Sequence, residues 1–318
     1  MTRPIRASAV RRPHEAALST DHHTARHRDR LSPSQRRLWP TPTGAPNFDL
    51  TYPNEHRVAI AGDWESDWPS VAAMLTSLRR QAPDIETILH LGDLRYEAPR
   101  QRNTGLPRRR FVSDLDELLG QLRFRRLILT PGNHDWWDQL HDEFERHPDR
   151  MYRISPRIWI APRGFRFHIG EATFMSFGGA VSLDRRPDMR SSKSAEEPTR
   201  ADMNRASHGG PVDVLLTHEP PEAGIPEVDA ITSDPQRWPP ERLAQSAQSR
   251  ALITDLVAAI TPAKTFHGHM HVRGEAHTQD GRSTFSLAVT GKPGNVGVLT
   301  VSRDGFLDFV WKEDLSTR

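Results

Sequence analysis

Three short, mainly apolar segments, each followed by glycine and a side chain that can bind a metal ion, constrain this sequence most. They are residues 58–61 before Gly62-Asp63, residues 85–91 before Gly92-Asp93, and residues 127–129 before Pro131-Gly132-Asn133-His134-Asp135. Runs that are this short and this apolar predict buried strands. Because helix-like segments follow them, the pattern predicts a largely parallel sheet with helices outside it.

The helix-like segments carry apolar residues at helical spacing. The first begins at the helix-start residues Asp67 and Pro69, and its apolar positions are Val71, Met74, Leu75 and Leu78. After residue 151 short strands predominate, and we expect them at 157–160, 165–169, 172–177, 212–217, 265–266, 284–289, 296–301 and 307–311. These strands predict a second, more antiparallel sheet that packs on the first within one domain.

Composition separates an N-terminal arm from that domain. Residues 1–50 hold nine Arg against four acidic side chains, a net charge of +5, whereas the rest of the chain carries −3. Residues 1–53 have no apolar period, so we expect a disordered Arg-rich arm before a domain at 54–318. Residues 184–210 contain no Ile, Leu, Val or Phe and predict a surface insertion, while six prolines in 219–245 predict an irregular loop.

The composition also excludes several classes of protein. The sequence has no cysteine, which excludes disulfides, zinc ribbons and cysteine phosphatases. Charged residues make up 26% of the chain and no run of 18 apolar residues occurs, so no transmembrane helix and no membrane partner are expected. No apolar segment of a secretory signal follows the basic N-terminus, which favours a soluble cytoplasmic protein.

Five segments that follow predicted strands carry metal-ligand side chains. They are Gly62-Asp63-Trp64-Glu65, Gly92-Asp93, Gly132-Asn133-His134-Asp135, Thr217-His218-Glu219 and Gly268-His269-Met270-His271. The carboxyl ends of strands in open α/β sheets line the ligand crevice, so these side chains should converge. Alternate residues of an extended chain point the same way, which pairs Asp63 with Glu65 and His269 with His271. The set predicts a two-metal site.

In this order the segments resemble the signature of the calcineurin-like metallophosphoesterases, which runs D-x-H, G-D, G-N-H-[DE], a later His and G-H-x-H. The resemblance covers residues 57–275 and keeps four of the five blocks, and residues 177–184 resemble a segment of actinobacterial and phage-type members. It implies the metallo-dependent phosphatase fold, a four-layer α/β/β/α sandwich of two mixed sheets. It also implies two divalent cations, with Mn expected first and Fe, Zn or Mg as alternatives.

The resemblance implies a role for each matching residue. The implied metal ligands are Asp63 and His271 at the first cation, Asn133, His218 and His269 at the second, and Asp93 between the two. His134 would stabilise charge on the phosphoryl group or protonate the leaving oxygen, and Asp135 would orient its imidazole. Hydrolysis would proceed through a hydroxide that bridges the cations, without a covalent phosphoenzyme.

Glu65 departs from the pattern, because the family has His at this position. A carboxylate also binds hard cations, but here it would change the formal ligand charge of the first site from −2 to −3. This change favours Mn or Mg and repels a phosphate anion. Three alternatives stay open: Glu65 binds the metal with an altered preference, the first site is weak or empty, or Glu65 does not touch the metal.

Aromatic residues and one further histidine lie beside the motifs. Trp64, Trp136 and Trp137 are candidates either for stacking on an aromatic part of the substrate or for packing in the crevice wall. His90 lies on a predicted buried strand and is interpreted as a hydrogen-bonded core histidine.

The predicted function is hydrolysis of a small phosphomonoester or phosphodiester by a metal-dependent phosphoesterase. Two alternatives stay open. One is a non-catalytic, metal-poor binding or regulatory member of the same fold, which Glu65 alone favours, and the other is a nuclease whose basic arm binds nucleic acid. Specificity in such folds resides in loops, so the sequence assigns no substrate-binding residue, natural substrate or oligomeric state.

Overall fold

The structure is a computed structural model that describes residues 48–96, 109–184 and 193–317. Its strands are β1 Phe48–Asp49, β2 Arg57–Ala61, β3 Thr87–His90, β4 Arg126–Leu129, β5 Tyr152–Arg153, β6 Ile158–Ile160, β7 Phe165–Ile169, β8 Ala172–Phe177, β9 Val214–Thr217, β10 Lys264–His267, β11 Gly274–His277, β12 Ser283–Ser286, β13 Val296–Val301 and β14 Leu307–Trp311. Its helices are α1 Trp68–Gln81, α2 Arg109–Gln121, α3 Trp137–Arg146, α4 Lys193–Glu196, α5 Arg200–Ser207, α6 Pro226–Thr232 and α7 Pro240–Ile260, and a 3-10 helix spans Lys312–Thr317.

The strands form two seven-stranded mixed sheets. The first has the order β14-β13-β2-β3-β4-β6-β5, and β2, β3, β4 and β6 run parallel within it. The second has the order β1-β7-β8-β9-β10-β12-β11, and β8, β9, β10 and β12 run parallel. Parallel neighbours bring their carboxyl ends to one edge of a sheet, which places the loops after β2, β3 and β4 together and those after β9 and β10 together.

Three hydrophobic clusters divide the molecule into four layers. One fills the space between the sheets, with Val58, Ile60 and Leu89 from the first and Phe174 and Phe266 from the second. Alternate residues of the same strands point the other way: Ala59, Ile88 and Leu127 pack with α1 and α2, and Met175 and Leu215 pack with α5 and α7. The order of layers is therefore helix, sheet, sheet, helix, as predicted.

The start of α1 confirms the helix signal in the sequence. The Asp67 side chain accepts a hydrogen bond from the backbone N–H of Ser70, and Pro69 occupies the first turn. Val71, Leu75 and Leu78 are buried against the first sheet. This helix begins three residues after Glu65, so its capped start fixes the far end of the loop that carries Asp63 and Glu65.

The expected content of the second sheet was wrong. Four of its six strand pairings are parallel, because β1 joins β7 and β12 joins β10 in parallel. β13 and β14, expected in the second sheet, extend the first one, where β13 pairs with β2 in antiparallel orientation. β13 is buried on both faces, so its side-chain pattern carries no information about which sheet it joins.

Two predicted boundaries also change. β1 pairs with β7 at Phe48–Asp49, so the folded part of the chain includes residues before 54, while residues 1–47 of the predicted arm lie outside the described residues. The region 219–245, expected to be an irregular loop, contains α6 and the start of α7. Both helices have proline in their first turn, where its missing N–H costs nothing.

The predicted surface insertion at 184–210 contains α4 and α5. Met203 and Ala206 of α5 are buried and pack with α7. Arg163 donates hydrogen bonds to the carbonyls of Ala195 and Glu196, which attaches α4 to the body of the domain. Across the described parts of the chain, no helix combines the length and the apolar character needed to cross a bilayer.

Candidate metal centre

The predicted ligand segments follow the carboxyl ends of five strands, three in one sheet and two in the other. The ligands that follow β2, β3, β4, β9 and β10 are Asp63, Asp93, Asn133, His218 and His269, respectively. Side chains from the two sheets meet there, since His271 Nε2 lies 3.0 Å from Asp63 Oδ2. The site thus lies where the carboxyl ends of both sheets converge, as the sequence predicts.

Asp63, Glu65, Asp93 and His271 form a first group, whose ligand atoms lie within 4.8 Å of one another. Asp63 and Asp93 are buried, whereas 42% of the His271 side chain is exposed. The group therefore has a buried carboxylate floor and opens to solvent beside His271. Glu65 lies among the ligand atoms, which favours the first of the three alternatives for this residue.

Two neighbouring side chains stabilise the negative charge of Glu65. Burial opposes the charged form, but the imidazole of His271 and the guanidinium of Arg95 keep the pKa of Glu65 below its usual value. Glu65 Oε1 lies 3.5 Å from His271 Nε2, and Glu65 Oε2 accepts a hydrogen bond from Arg95 Nε. The carboxylate therefore presents one oxygen to the ligand group and the other to an arginine.

Asp93, His218 and His269 form a second group with ligand atoms within 4.8 Å of one another. Asn133 joins it, because its Oδ1 lies 3.0 Å from His218 Nε2. Asp93 belongs to both groups, which is the arrangement expected of a carboxylate that bridges two cations. All seven predicted ligands are thus brought together.

His218 is oriented by a backbone carbonyl. Its Nδ1 donates to Leu91 O over 2.6 Å, so its Nε2 points to Asp93 Oδ2 at 3.4 Å and to Asn133 Oδ1 at 3.0 Å. Such a carbonyl partner is typical of metal-binding histidines. Burial disfavours the charged imidazole, but the carboxylate of Asp93 raises the pKa of His218 to about 10. A proton on His218 Nε2 therefore lies between the oxygens of Asp93 and Asn133, and a metal ion would occupy the same position.

Two buried carboxylate oxygens support the fit to cations. Asp93 Oδ2 and Glu65 Oε1 have no well-aligned donor among the described residues, and only imidazole nitrogens approach them, at 3.4 Å from His218 Nε2 and 3.5 Å from His271 Nε2, respectively. A buried carboxylate oxygen without a donor is costly unless a cation neutralises it. Carboxylate and amide oxygens suit Mn and Mg, and imidazole nitrogens suit Fe and Zn, so this mixed set can bind divalent cations. The residues therefore fit two divalent cations that share Asp93.

The backbone of the site adopts unusual conformations. Four predicted ligands have left-handed φ angles: 51° at Glu65, 52° at Asp93, 67° at His269 and 59° at His271. Each such residue costs about 1 to 3 kcal/mol, and this strain concentrates at functional sites. Backbone N–H groups hold the carboxylates in place, since His269 N donates to Asp63 Oδ2 over 3.0 Å and His134 N donates to Asp93 Oδ1 over 2.9 Å.

Two motif glycines allow the ligands to approach the backbone. A Cβ on Gly268 would lie 2.2 Å from Asp63 Oδ1, and one on Gly92 would lie 2.3 Å from His218 Nδ1. Both distances are far below van der Waals contact, so no larger residue fits without moving a ligand. Gly92 also has a φ of 108°, which favours glycine for a second reason.

The environment of His134 differs from the prediction. Asp135 does not orient its imidazole: the Asp135 carboxylate accepts backbone N–H bonds from Gly132 over 2.8 Å, Asp93 over 3.1 Å and Tyr96 over 3.0 Å. The tight turn from Gly132 to Asp135 points the Asp135 carboxylate back at the backbone N–H groups of its own loop. Burial at this position raises the pKa of Asp135 to about 7. The carboxylate near the imidazole is Asp184, whose Oδ2 lies 3.9 Å from His134 Nε2.

The neighbouring aromatic residues divide into packed and partly open ones. Trp64 and Trp137 are buried, and Trp137 Nε1 donates to Gly132 O over 2.6 Å, so both pack in the wall of the crevice. Trp136 is half-buried beside Tyr96, with ring centroids 5.9 Å apart. His90 is buried, accepts the N–H of Gly92 and packs edge-on against Trp64, which confirms it as a core histidine.

Sequence reasoning missed three residues that contact the ligands or their supports. Arg95 pairs with Glu65, and Ser182 accepts a hydrogen bond from Asn133 Nδ2 over 2.8 Å. Ser182 in turn donates to Glu196 over 3.2 Å. The sequence could have indicated Arg95, because it lies two residues after the predicted ligand Asp93. The other two come from segments 49 and 63 residues further along the chain than Asn133, and nothing local indicates them.

The two sheets, their outer helices and the ligands at the strand ends define the metallo-dependent phosphatase fold. A family model for calcineurin-like phosphoesterases matches residues 56–273, so the chain belongs to the calcineurin-like phosphoesterase family. A comparison with curated proteins found no match.

Solved structures show likeness in fold at low sequence identity. One structure has a TM-score of 0.50 and 12% identity, over 80% of this chain and 98% of its own. A protein from Thermus thermophilus has a TM-score of 0.46 and 11% identity, over 81% of this chain and 99% of its own. A dimetal phosphatase from Danio rerio has a TM-score of 0.45 and 11% identity, over 77% of this chain and 92% of its own.

Proposed function

We propose that this chain is a metal-dependent phosphoesterase that hydrolyses a small phosphomonoester or phosphodiester. The observation that carries the proposal is the sharing of Asp93 by two groups of ligand side chains. Two-metal centres of this kind act on phosphoesters by stabilising both the attacking and the leaving oxygen of an in-line displacement. Membership of the calcineurin-like phosphoesterase family supports the same reaction class.

The two groups would hold different ligand sets. Asp63, Glu65, Asp93 and His271 would bind the first cation, and Asp93, Asn133, His218 and His269 would bind the second. Two divalent cations, when bound, supply Lewis-acid stabilisation of the phosphoryl oxygens and lower the pKa of a coordinated water. We propose Mn first, because three carboxylates at the first cation suit a hard ion, and Fe, Zn or Mg as alternatives.

His134 is proposed to act on the substrate and not on the metal. The backbone N–H of His134 donates a hydrogen bond to Asp93 Oδ1, and 26% of the His134 side chain is exposed to solvent. From there the imidazole would donate a hydrogen bond to the phosphoryl group or a proton to the leaving oxygen. Asp184, whose Oδ2 lies 3.9 Å from His134 Nε2, is the carboxylate placed to favour the charged form of this ring.

The test is a hydrolysis assay on metal-stripped protein with a generic nitrophenyl phosphodiester and monoester. We expect turnover to return on addition of Mn, with two Mn bound per chain by elemental analysis. The control is Asp93→Asn, which keeps the shape of the side chain but removes the charge shared by both groups. It should bind fewer than two Mn and show no turnover.

The outcomes also separate the two alternatives. Absence of both Mn binding and turnover would overturn the proposal in favour of a non-catalytic binding protein. Turnover confined to DNA or RNA, and lost with salt and with deletion of residues 1–47, would favour the nuclease. That alternative rests on sequence alone, because the basic arm lies outside the described residues. The cytoplasmic location likewise stays a prediction.

A further inference from the structure

The first ligand group carries one more negative charge than the family pattern would give it. Asp63, Glu65 and Asp93 place three carboxylates within a single cluster, since Glu65 replaces the neutral His of the family pattern. Like charges this close raise one another's energy, and they repel an incoming phosphate anion. Two divalent cations, when bound, leave the centre positive, and Glu65 lowers that net charge by one unit, so a nearby positive charge would restore the attraction for a phosphate anion.

Arg95 is that charge. Its Nε donates to Glu65 Oε2, and the two side chains are only 29% and 18% exposed, respectively. Charge pairs withdrawn from water in this way are screened much less by solvent and salt than surface pairs. Because Arg95 takes Oε2, the other oxygen of Glu65 stays directed to the ligand group.

Hydrogen bonds to backbone carbonyls join the two loops that carry Glu65 and Arg95. Glu65 N donates to Asp93 O over 2.9 Å, and Ser66 Oγ donates to Leu94 O over 3.4 Å, so the loops after β2 and β3 are joined on both sides of the pair. Glu65 and Arg95 both have left-handed φ angles, 51° and 62°. Two strained residues that face each other across two loops indicate a fixed arrangement rather than a chance surface contact.

We propose that Glu65 and Arg95 work as one unit that replaces a neutral histidine ligand: Glu65 Oε1 binds the first cation, and Arg95 cancels the added charge so that the centre still accepts a phosphate anion. This inference rests on the proposed function. It makes Arg95 a positioning and charge-balancing residue, and it predicts that the net charge of the pair, rather than either side chain alone, sets anion affinity.

The experiment measures binding of inorganic phosphate to the Mn-loaded protein by titration calorimetry, with Mn content checked for every variant. Arg95→Gln keeps a hydrogen-bond donor but removes the charge, and we expect about fivefold weaker phosphate binding. Glu65→His removes the opposite charge, and we expect about fivefold tighter binding. The double variant Glu65→His/Arg95→Gln restores the net charge and should return to within about twofold of wild type.

Two further variants serve as controls for the charge and the position of Arg95. Arg95→Lys keeps the charge and should stay within about threefold of wild type, which a variant that merely unfolds the loop would not do. Arg273→Gln removes an arginine that lies over the ring of Trp311 and beside Asp314, and it should leave phosphate binding unchanged. Thermal unfolding of each variant reports whether it is folded.

The outcomes are distinct. If the two single variants shift phosphate affinity in the same direction, or if the double variant binds as weakly as Arg95→Gln, the charge-balancing role of Arg95 is wrong. If wild-type protein binds no Mn, the proposed function fails and this inference with it. Normal Mn binding with the wrong order of phosphate affinities overturns this inference alone.

Discussion

Ser182 Oγ accepts a hydrogen bond from Asn133 Nδ2 over 2.8 Å, and this contact decides which way the amide of Asn133 faces. With Nδ2 directed at Ser182, the amide oxygen points at His218 Nε2, 3.0 Å away. Ser182 Oγ in turn donates a hydrogen bond to Glu196 Oε1 over 3.2 Å, so α4 of the insertion supports the candidate ligand Asn133 through two hydrogen bonds. Partners of this kind orient ligands and tune metal affinity.

Removal of the Ser182 hydroxyl should therefore weaken metal binding without touching a ligand. We expect Ser182→Ala to bind Mn about tenfold more weakly at the second ligand group, to which Asn133 belongs, because the Asn133 amide loses the acceptor that fixes its orientation. Titration calorimetry with Mn measures the effect. The matched control is Ser233→Ala, since Ser233 is exposed and bonds only within its own turn. Equal Mn affinity in Ser182→Ala and Ser233→Ala would refute the orienting role.

How much of this centre the sequence predicts depends on where each contact lies in the chain. The convergence of the seven candidate ligands could be predicted, because each lies just after a predicted strand, six of them behind a glycine, and parallel strands bring such ends together. Ser182 and Glu196 could not be predicted, because their contacts depend on how the segment after β8 folds back over the loop after β4. The sheet that β13 joins was mispredicted for a similar reason, since both of its faces are apolar and strand pairing is set by long-range topology.

His134 provides a test that separates catalysis from metal binding. We expect His134→Ala to lower kcat by about two to four orders of magnitude, the usual contribution of a positioned proton donor. Mn binding should be kept, because the group that holds Asp93 is the backbone N–H of residue 134, which alanine retains. Steady-state kinetics with the nitrophenyl diester and Mn titration are the two measurements. Wild-type kcat in the variant would exclude the proposed role.

Gly268 tests the close approach of the backbone to Asp63. A methyl group at this position would lie 2.2 Å from Asp63 Oδ1, so we expect Gly268→Ala to displace the carboxylate and to lose Mn binding at the first group. The control is Gly281→Ala, where nothing lies within 4 Å of the added Cβ but φ is 85°. That variant should lose about 1 kcal/mol of unfolding free energy from backbone strain and keep Mn binding.

The two glycine variants thus separate strain from displacement of a ligand. Mn titration and thermal unfolding are measured on both. If Gly268→Ala bound two Mn ions with wild-type affinity, the position of the Asp63 carboxylate against Gly268 would be incorrect.

The last prediction concerns the stability of the metal-free protein. Asp63 and Asp93 are buried carboxylates of one ligand group, and burial raises the pKa of Asp63 because it disfavours the charged form. A cation that binds only the folded state adds about 3 kcal/mol at a concentration about 100-fold above its Kd, which for a domain of this size raises the Tm by about 5 to 10 °C. We expect this shift on addition of Mn. Asp63→Asn should abolish most of it, whereas Asp304→Asn, at an exposed turn that also uses its side chain as an acceptor, should keep it. A shift of the same size in both variants would mean that Mn stabilises the protein elsewhere than at Asp63.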